Sequence, residues 1–371
     1  MVVNRRRRLR HVRRDAMVLL ALIPLLASGA DAEKGPLTAG GTNILVLDNC
    51  DSDFKTPPFD DCVLVLTSKG EAANRIGGFN VCQQIGGARA VAASADGRFF
   101  VVCESMGCRI TAFELRTGKK LWSLSSPQNV TSAAVGGDTV YALTSKGEIY
   151  GSGIMAIDGK GKVIRQANIA GSDIVVDPNG EVLWLVGGDI KKCDTDLQVA
   201  WTIDPIRWCA SSVDVNPDGS IWVAERRHPQ AGGIDRLMKV SPQGTIVQIV
   251  PMEVAPMCVR VDPSDGSLWV TGIFLRKTEW PHLYMRGWRP AIGKTTRYKF
   301  GGLRTYKYSA QGKLLFEAKR GGHSLDLDPS DGSVWVGGES KLLHYSRNGE
   351  SLGTYGGVSD DQKWIVLVPR P

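Results

Sequence analysis

The chain has 371 residues, 43% hydrophobic, 22% charged and 7% aromatic, with 43 glycines and 18 prolines. These ordinary globular values exclude disordered, collagen-like and coiled-coil classes for the bulk of the chain. The formal charge of +7 sits largely at one end: the first 32 residues hold seven arginines against two aspartates, so residues 33–371 carry only +2. A body this close to neutral has no global electrostatic footprint for nucleic acid, which is not expected as a partner.

Residues 1–32 read as an export signal. Arg5 to Arg8, Arg10, Arg13 and Arg14 precede an apolar run, Met17 to Ala27, whose 11 residues are too few to span a bilayer. Ala30-Asp31-Ala32 places small residues where a signal peptidase reads, so cleavage is expected after Ala32. An uncleaved anchor is the alternative, opposed by Pro24 and the short run. Arg13-Arg14 resembles a twin-arginine signal, but Asp15-Ala16-Met17 departs from it, which favours the ordinary secretory route. Residues 33–42 read as a linker, and the mature protein is expected in a periplasm or outside the cell. No later apolar run exceeds strand length. The eight cysteines, an even number in an exported chain, favour disulfides. Cys50–Cys62 and Cys103–Cys108 would close local loops; Cys82–Cys193 and Cys209–Cys258 would be longer links. No Cys-x-x-Cys occurs, so zinc ribbons, thioredoxin-like motifs and haem attachment lack their signature.

From residue 43 onward one phrase recurs: alternating apolar residues, a turn with Gly, then apolar-aromatic-apolar. It reads IVVDPNGEVLWLVGG (174–188), VDVNPDGSIWVAE (213–225), VRVDPSDGSLWVTG (259–272) and LDLDPSDGSVWVGG (325–338). Weaker copies are VAASADGRFFVVCE (91–104) and AAVGGDTVYALTS (133–145). A second strand–turn–strand phrase, such as AFELRTGKKLWSL (112–124) or YKYSAQGKLLFEA (306–318), occurs seven times against six complete first phrases. The unpaired second phrase (65–76) follows a lone strand at Ile44–Asp48, and another lone strand at Trp364–Pro369 ends the repeats. Joining these two ends completes a seventh unit. Four strands per unit and about 40–50 residues per unit describe an all-β, seven-bladed β-propeller over residues 43–371. Closure of this kind is expected to leave no unpaired sheet edge. Six blades remain the alternative if the ends pair elsewhere.

The phrase DGSIWVAE (218–225), with turns such as Ser241-Pro242-Gln243-Gly244, resembles the repeats of NHL and streptogramin-lyase-like propellers. Residues 112–122 are similar to a repeat of pyrroloquinoline-quinone-type propellers, yet one such phrase does not supply a quinone site. Trp184, Trp222, Trp269 and Trp335 fall at one repeat position, with Phe100 and Tyr141 in the weaker copies. They read as blade-packing residues rather than stacking platforms, because they recur where the fold recurs. The DPSDG and NPDG turns lack the alternating ligands and distal Glu of a calcium loop.

In an up-and-down blade the a–b and c–d turns share one face of the ring, and the b–c and d–a connections share the other. Here the first set is short throughout, while the b–c connections at 49–62, 226–235 and 273–302 are long. Binding is therefore expected on that elaborated face. The stretch 273–302 is a basic, aromatic loop. Arg276, Trp280, Arg286, Trp288 and Arg289 are its candidate binding residues, suited to a protein or an acidic polysaccharide. Arg89, Thr131, Asp173, Ser211, Cys258 and His323 should ring the channel mouth, joined by Asp214, Arg260 and Asp326. Of these, Arg89, Asp173, Ser211 and Arg260 are the candidate channel-mouth binding residues. The b strands bring Asp48, Glu104, Glu225 and Glu339 to the same end.

The lead reading is a monomeric, exported binding module that needs no cofactor. The alternative is a lyase or lactonase assisted by a divalent cation, Ca²⁺ or Mg²⁺. The resemblance to streptogramin-lyase-like enzymes implies His323 as proton acceptor and Glu225 at the W-x-x-E position. Glu225, Glu104 and Asp48 would then be the candidate metal ligands. Only one blade carries that pattern cleanly. Motifs for serine hydrolases, nucleotide phosphates and zincins are absent.

Overall fold

A computed structural model describes residues 42–48, 62–77, 88–104, 108–145, 153–203, 209–226, 235–286, 289–338, 341–356 and 363–369. The expected leader and nearly all of the linker lie outside these residues. So do the connections 49–61 and 227–234, with Cys50, Cys82 and Glu339.

The repeats fold as strands throughout. β1 (Thr42–Asp48), β2 (Cys62–Leu66) and β3 (Ala72–Gly77) come first. Blade 1 holds β4 (Ala88–Ala93), β5 (Phe99–Glu104), β6 (Arg109–Glu114) and β7 (Lys120–Ser125). Blade 2 holds β8 (Asn129–Gly136), β9 (Thr139–Ser145), β10 (Gly153–Ile157) and β11 (Val163–Ala167). Blade 3 holds β12 (Asp173–Val176), β13 (Val182–Val186), β14 (Ile190–Asp194) and β15 (Val199–Ile203). Blade 4 holds β16 (Cys209–Val215), β17 (Ile221–Arg226), β18 (Asp235–Val240) and β19 (Ile246–Met252). Blade 5 holds β20 (Val254–Val261), β21 (Leu268–Arg286), β22 (Arg289–Tyr308) and β23 (Leu314–Ala318). Blade 6 holds β24 (Ser324–Leu327), β25 (Val334–Gly337), β26 (Leu342–Tyr345) and β27 (Ser351–Tyr355), and β28 (Lys363–Pro369) ends the chain.

Each blade is a four-stranded antiparallel sheet in chain order, and the closing blade runs β28-β1-β2-β3. β1 pairs with β2 on one side and with β28 on the other, from Thr42↔Pro369 to Asp48↔Lys363. The innermost strands β28, β4, β8, β12, β16, β20 and β24 are neighbours around the ring. The fold is thus a seven-bladed propeller closed by its two chain ends. Among the described residues no helix is long and apolar enough to cross a membrane.

Burial follows position in the blade. Middle strands are covered on both faces by adjacent blades, so β5 (FFVVCE) and β17 (IWVAER) read as nearly continuous apolar runs. The outermost strands alternate, as in β15 and β23. Closure does not remove every edge, contrary to expectation. The blades are separate sheets, so each outermost strand remains an edge. Leu121, Val247 and Leu315 are about half exposed there. Blades meet through side chains rather than a shared hydrogen-bond ladder, and only the stack of blades is closed.

The aromatic stripe packs as expected. Trp184, Trp222, Trp269 and Trp335 are at most 1% exposed, and Phe100 and Tyr141 are buried at the same repeat position. The facing residue on the next strand caps three of the Trp rings: Lys192 lies 5.4 Å from the Trp184 ring centre and Lys307 5.6 Å from that of Trp269. His344 stacks on Trp335 at 4.1 Å, with Nε2 3.0 Å from Ser333 Oγ. The same lysines also tie blades together, donating to Pro242 O at 3.0 Å and Arg347 O at 2.7 Å in the following blade.

Three expected disulfides do not form. Cys103, Cys193 and Cys258 are buried free thiols. Burial raises the Cys103 and Cys193 thiols to about 12 and about 11. Cys103 points into the core between blades 1 and 2, while Cys108 Sγ donates to Asn129 Oδ1 at 3.1 Å. Cys258 Sγ lies 3.7 Å from Leu325 O. These cysteines act as small core residues. The Cys50–Cys62 pair lies partly outside the described residues.

The tight turns within a blade, c–d at Gly161 and a–b at Gly137, need glycine for two reasons. Gly161 has φ +83°, and a Cβ there would meet Trp122 of the preceding blade at 2.8 Å. Gly137 has φ +58° with open space around it. Gly137→Ala should cost about 1 kcal/mol from backbone strain alone. Gly161→Ala should cost roughly 1–3 kcal/mol more through overpacking, measured by urea unfolding. Equal losses would mean that the turn does not lock the blades. Truncation after residue 362 removes β28, the innermost strand of the closing blade. The cooperative thermal transition seen by circular dichroism should then be lost.

Candidate binding site

The innermost strands meet around a cavity of about 280 Å³ at the end where the b–c and d–a connections emerge. Its lining includes Arg89, Thr131, Asp173, Ser211, Cys258 and His323, together with Asp214 and Arg260. The expected mouth residues therefore converge except for Asp326, which lies outside the lining but beside Arg260. Sequence reading missed Ser132, Ser172, Ser212 and Ser324, which also line it. Their signal was their register, since Ser132, Ser212 and Ser324 lie two residues before the position that faces the Trp stripe.

Most of these polar groups are already engaged between blades. Asp173 Oδ2 accepts from Val213 N at 3.2 Å, Asp214 Oδ2 from Val261 N at 2.7 Å, and Asp326 Oδ2 from Leu367 N at 2.8 Å. Ser324 Oγ accepts from Ile365 N at 3.0 Å. Ser132 Oγ donates to Asp173 Oδ1 at 3.0 Å, and Ser211 Oγ to Pro256 O at 2.8 Å. Every one of these bonds joins one innermost strand to the next blade.

Charge concentrates around Arg260, which shares its register layer with Asp214 of the preceding blade and Asp326 of the following one. Arg260 Nε lies 3.4 Å from Asp326 Oδ1. Burial opposes the guanidinium charge, but Cys258, Asp326, Asp214 and Asp173 outweigh it and hold the group protonated. Burial in turn raises all three carboxyls despite Arg260, with Asp214 reaching about 6. The cluster is an ion network built into the ring.

The W-x-x-E glutamate lies elsewhere. Glu225 is fully buried at the end of β17, outside the cavity lining, and Arg236 of β18 donates to its Oε2. Burial raises its carboxyl while Arg236 pulls the other way. Glu104 holds a similar place on β5, accepting from Arg109 Nε at 2.9 Å and Thr111 Oγ1 at 3.0 Å. His323 lines the cavity without Glu225 beside it in that lining. Among the described residues no group of three or more His, Cys, Asp or Glu side chains is placed to hold a metal ion. The side chain of Asp48 lies outside the described residues.

The basic stretch 273–302 forms part of a paired ribbon instead of an irregular loop. β21 and β22 have 19 and 20 residues and stay in antiparallel register out to Arg286↔Arg289. The register shifts once, between Ile273 and Leu275, opposite Gly301 and Gly302; Gly302 has φ +113°. This β-bulge bends the ribbon where it leaves the blade. Its root is fixed by Arg304, stacked 3.7 Å over Phe274 and ion-paired to Glu317 of β23. Beyond the root the arm extends roughly 40 Å at about 3.3 Å per residue. Arg276, Trp280, Arg286 and Arg289 occupy positions on this arm, and Trp288 lies outside the described residues.

Asp214 gives a pH test. Its folded carboxyl, at about 6 against 3.8, keeps a proton between those values that the unfolded chain releases. Its contribution to stability therefore falls as pH rises through that window. In Asp214→Asn the amide oxygen can still accept from Val261 N, and the loss of urea stability from pH 4 to 6.5 should shrink. An unchanged slope would show that Asp214 titrates normally.

Comparison with known proteins agrees with this architecture. The PQQ_2 family model, described as outer membrane protein assembly factor BamB, matches residues 77–200, a span from β3 through blade 2 into blade 3. No curated protein matches the chain. Hydrazine synthase of Kuenenia stuttgartiensis is 15% identical with a TM-score of 0.54, covering 73% of this chain and 80% of that one. A functionally unknown protein from Desulfotomaculum acetoxidans is 11% identical with a TM-score of 0.60, covering 88% and 99%. BamB from Moraxella catarrhalis is 13% identical with a TM-score of 0.52, covering 90% and 92%. At these identities the likeness establishes a shared propeller fold. The repeats belong to the broad propeller class, with a BamB-like stretch over residues 77–200, and nothing ties them to the NHL group in particular.

Proposed function

We propose that the protein is an exported binding module whose elaborated face recognises a macromolecular partner, a protein with an acidic surface or an acidic polysaccharide. The observation that carries this reading is the asymmetry of the ring. The a–b and c–d turns are short, while blade 5 sends a long, cationic ribbon from the opposite face. Rigid scaffolds usually place recognition on such elaborations. The basic, apolar leader supports export, and the BamB-like stretch supports a scaffold in the cell envelope. The serines and carboxylates of the polar cavity bond neighbouring blades, which gives them a structural role independent of any reaction.

A pull-down from detergent-solubilised envelope tests the reading. The full chain and a variant lacking residues 275–300, rejoined by a short turn, should share a melting temperature within a few degrees. The full chain should enrich one envelope protein or acidic polysaccharide at least tenfold over the variant. An identical set of captured molecules would sink the arm's role.

A further inference from the structure

The register of the arm sorts its residues onto two faces. Paired positions 276↔299, 278↔297, 280↔295, 282↔293, 284↔291 and 286↔289 share one face, and the alternate pairs share the other. The first face holds Arg276, Arg286, Arg289, Arg297 and Lys299, with Trp280 and Tyr284, and no acidic residue. The second holds Leu275, Leu283, Met285, Ile292 and Phe300; Lys277, Glu279 and Lys294 are its charged positions. Residues 275–300 carry +6, and the remainder of residues 33–371 carries −4. The molecule is strongly polarised, with its positive charge gathered on the arm.

We infer that the arm seats on an anionic phospholipid surface and anchors the propeller there. The inference rests on reading the arm as a binding element and gives that element a second contact, with the membrane surface, besides its acidic partner. A two-stranded ribbon is marginal in water, so an apolar face of this length needs a covering surface. Pro281 and Pro290 lack the N–H that a third strand would need, which disfavours occupation of the arm's edges by an added strand. A bilayer interface satisfies both faces. Apolar residues enter the acyl boundary, Trp and Tyr sit at headgroup level, and long cationic side chains reach anionic lipid phosphates. The ribbon lies along the surface rather than spanning it, because its open edges would leave backbone groups unpaired in hydrocarbon. The −4 remainder is repelled by the same surface, which orients the propeller outward.

Vesicle sedimentation tests this with the full chain, vesicles of phosphatidylcholine with roughly one third phosphatidylglycerol, and pure phosphatidylcholine vesicles. The protein should pellet with the anionic vesicles and at least tenfold less with neutral ones. Both R286E/R289E and L283S/M285S/I292S should lose at least tenfold in partitioning while keeping the parent melting temperature. Three outcomes would overturn the inference: no pelleting with anionic vesicles, undiminished pelleting without residues 275–300, or pelleting that needs the charges but not the apolar face. A dimer that L283S/M285S/I292S disrupts would also overturn it, since a second copy would then cover that face. The envelope pull-down in detergent is independent of a bilayer. Selective capture there without vesicle binding would leave the binding-module reading standing and remove only the anchor.

Discussion

The structure depends on satisfying the backbone of seven sheet edges that all face one central channel. Each innermost strand has a ladder partner on its outer side only, and a buried N–H without an acceptor is costly. The chain meets this requirement with side chains. Asp173, Asp214 and Asp326 each accept from the innermost strand of the next blade, and Ser324 does so for β28. Arg260 then offsets the negative charge that three partly buried aspartates bring. The polarity of the channel is first a solution to the geometry of the ring.

The same logic governs the outer shell. Each Trp of the stripe fills the gap between blades, and a facing Lys or His covers the rings of Trp184, Trp269 and Trp335. Lys192 and Lys307 add a bond to the following blade. The wedge of Trp122 against the turn at Gly161 repeats as Trp201 against Gly244 and Phe316 against Gly349. Leu197 breaks the pattern, with φ +64° where the other blades have glycine. It is 4% exposed and packs in the core of blades 2 and 3, so its apolar contacts offset the backbone strain. With the ring so regular, departures from the repeat stand out, and the largest is the arm of blade 5.

That arm shows how a small local device changes what a blade presents. Phe274 opposes Gly301 and Gly302 in a bulge, so the blade's two middle strands continue outward as a bent ribbon. The bulge separates a root locked by Arg304, Phe274 and Glu317 from a distal part free of the blade's packing demands. Composition can therefore change sharply across it. Inside the blade, β21 is buried and neutral; outside, cations and aromatics alternate with aliphatic residues.

The sequence by itself determined the seven-unit ring, the pairing of its ends and the packing role of the Trp stripe. These follow from local periodicity and from the count of phrases, both of which are written along the chain. It also located these channel residues, because Arg89, Asp173, Ser211, Arg260 and His323 lie in or just before the innermost strand of their repeats. Only the tertiary structure decided what those groups bond to. Their partners lie about 40 residues away in the next blade, at a distance no local pattern encodes. The cysteines were misread for a similar reason, since spacing along the chain does not say that Cys103 points into a core and Cys108 toward Asn129. The arm looked like a loop because its charges masked a two-residue alternation, and a long-range ladder was needed to sort them into two faces.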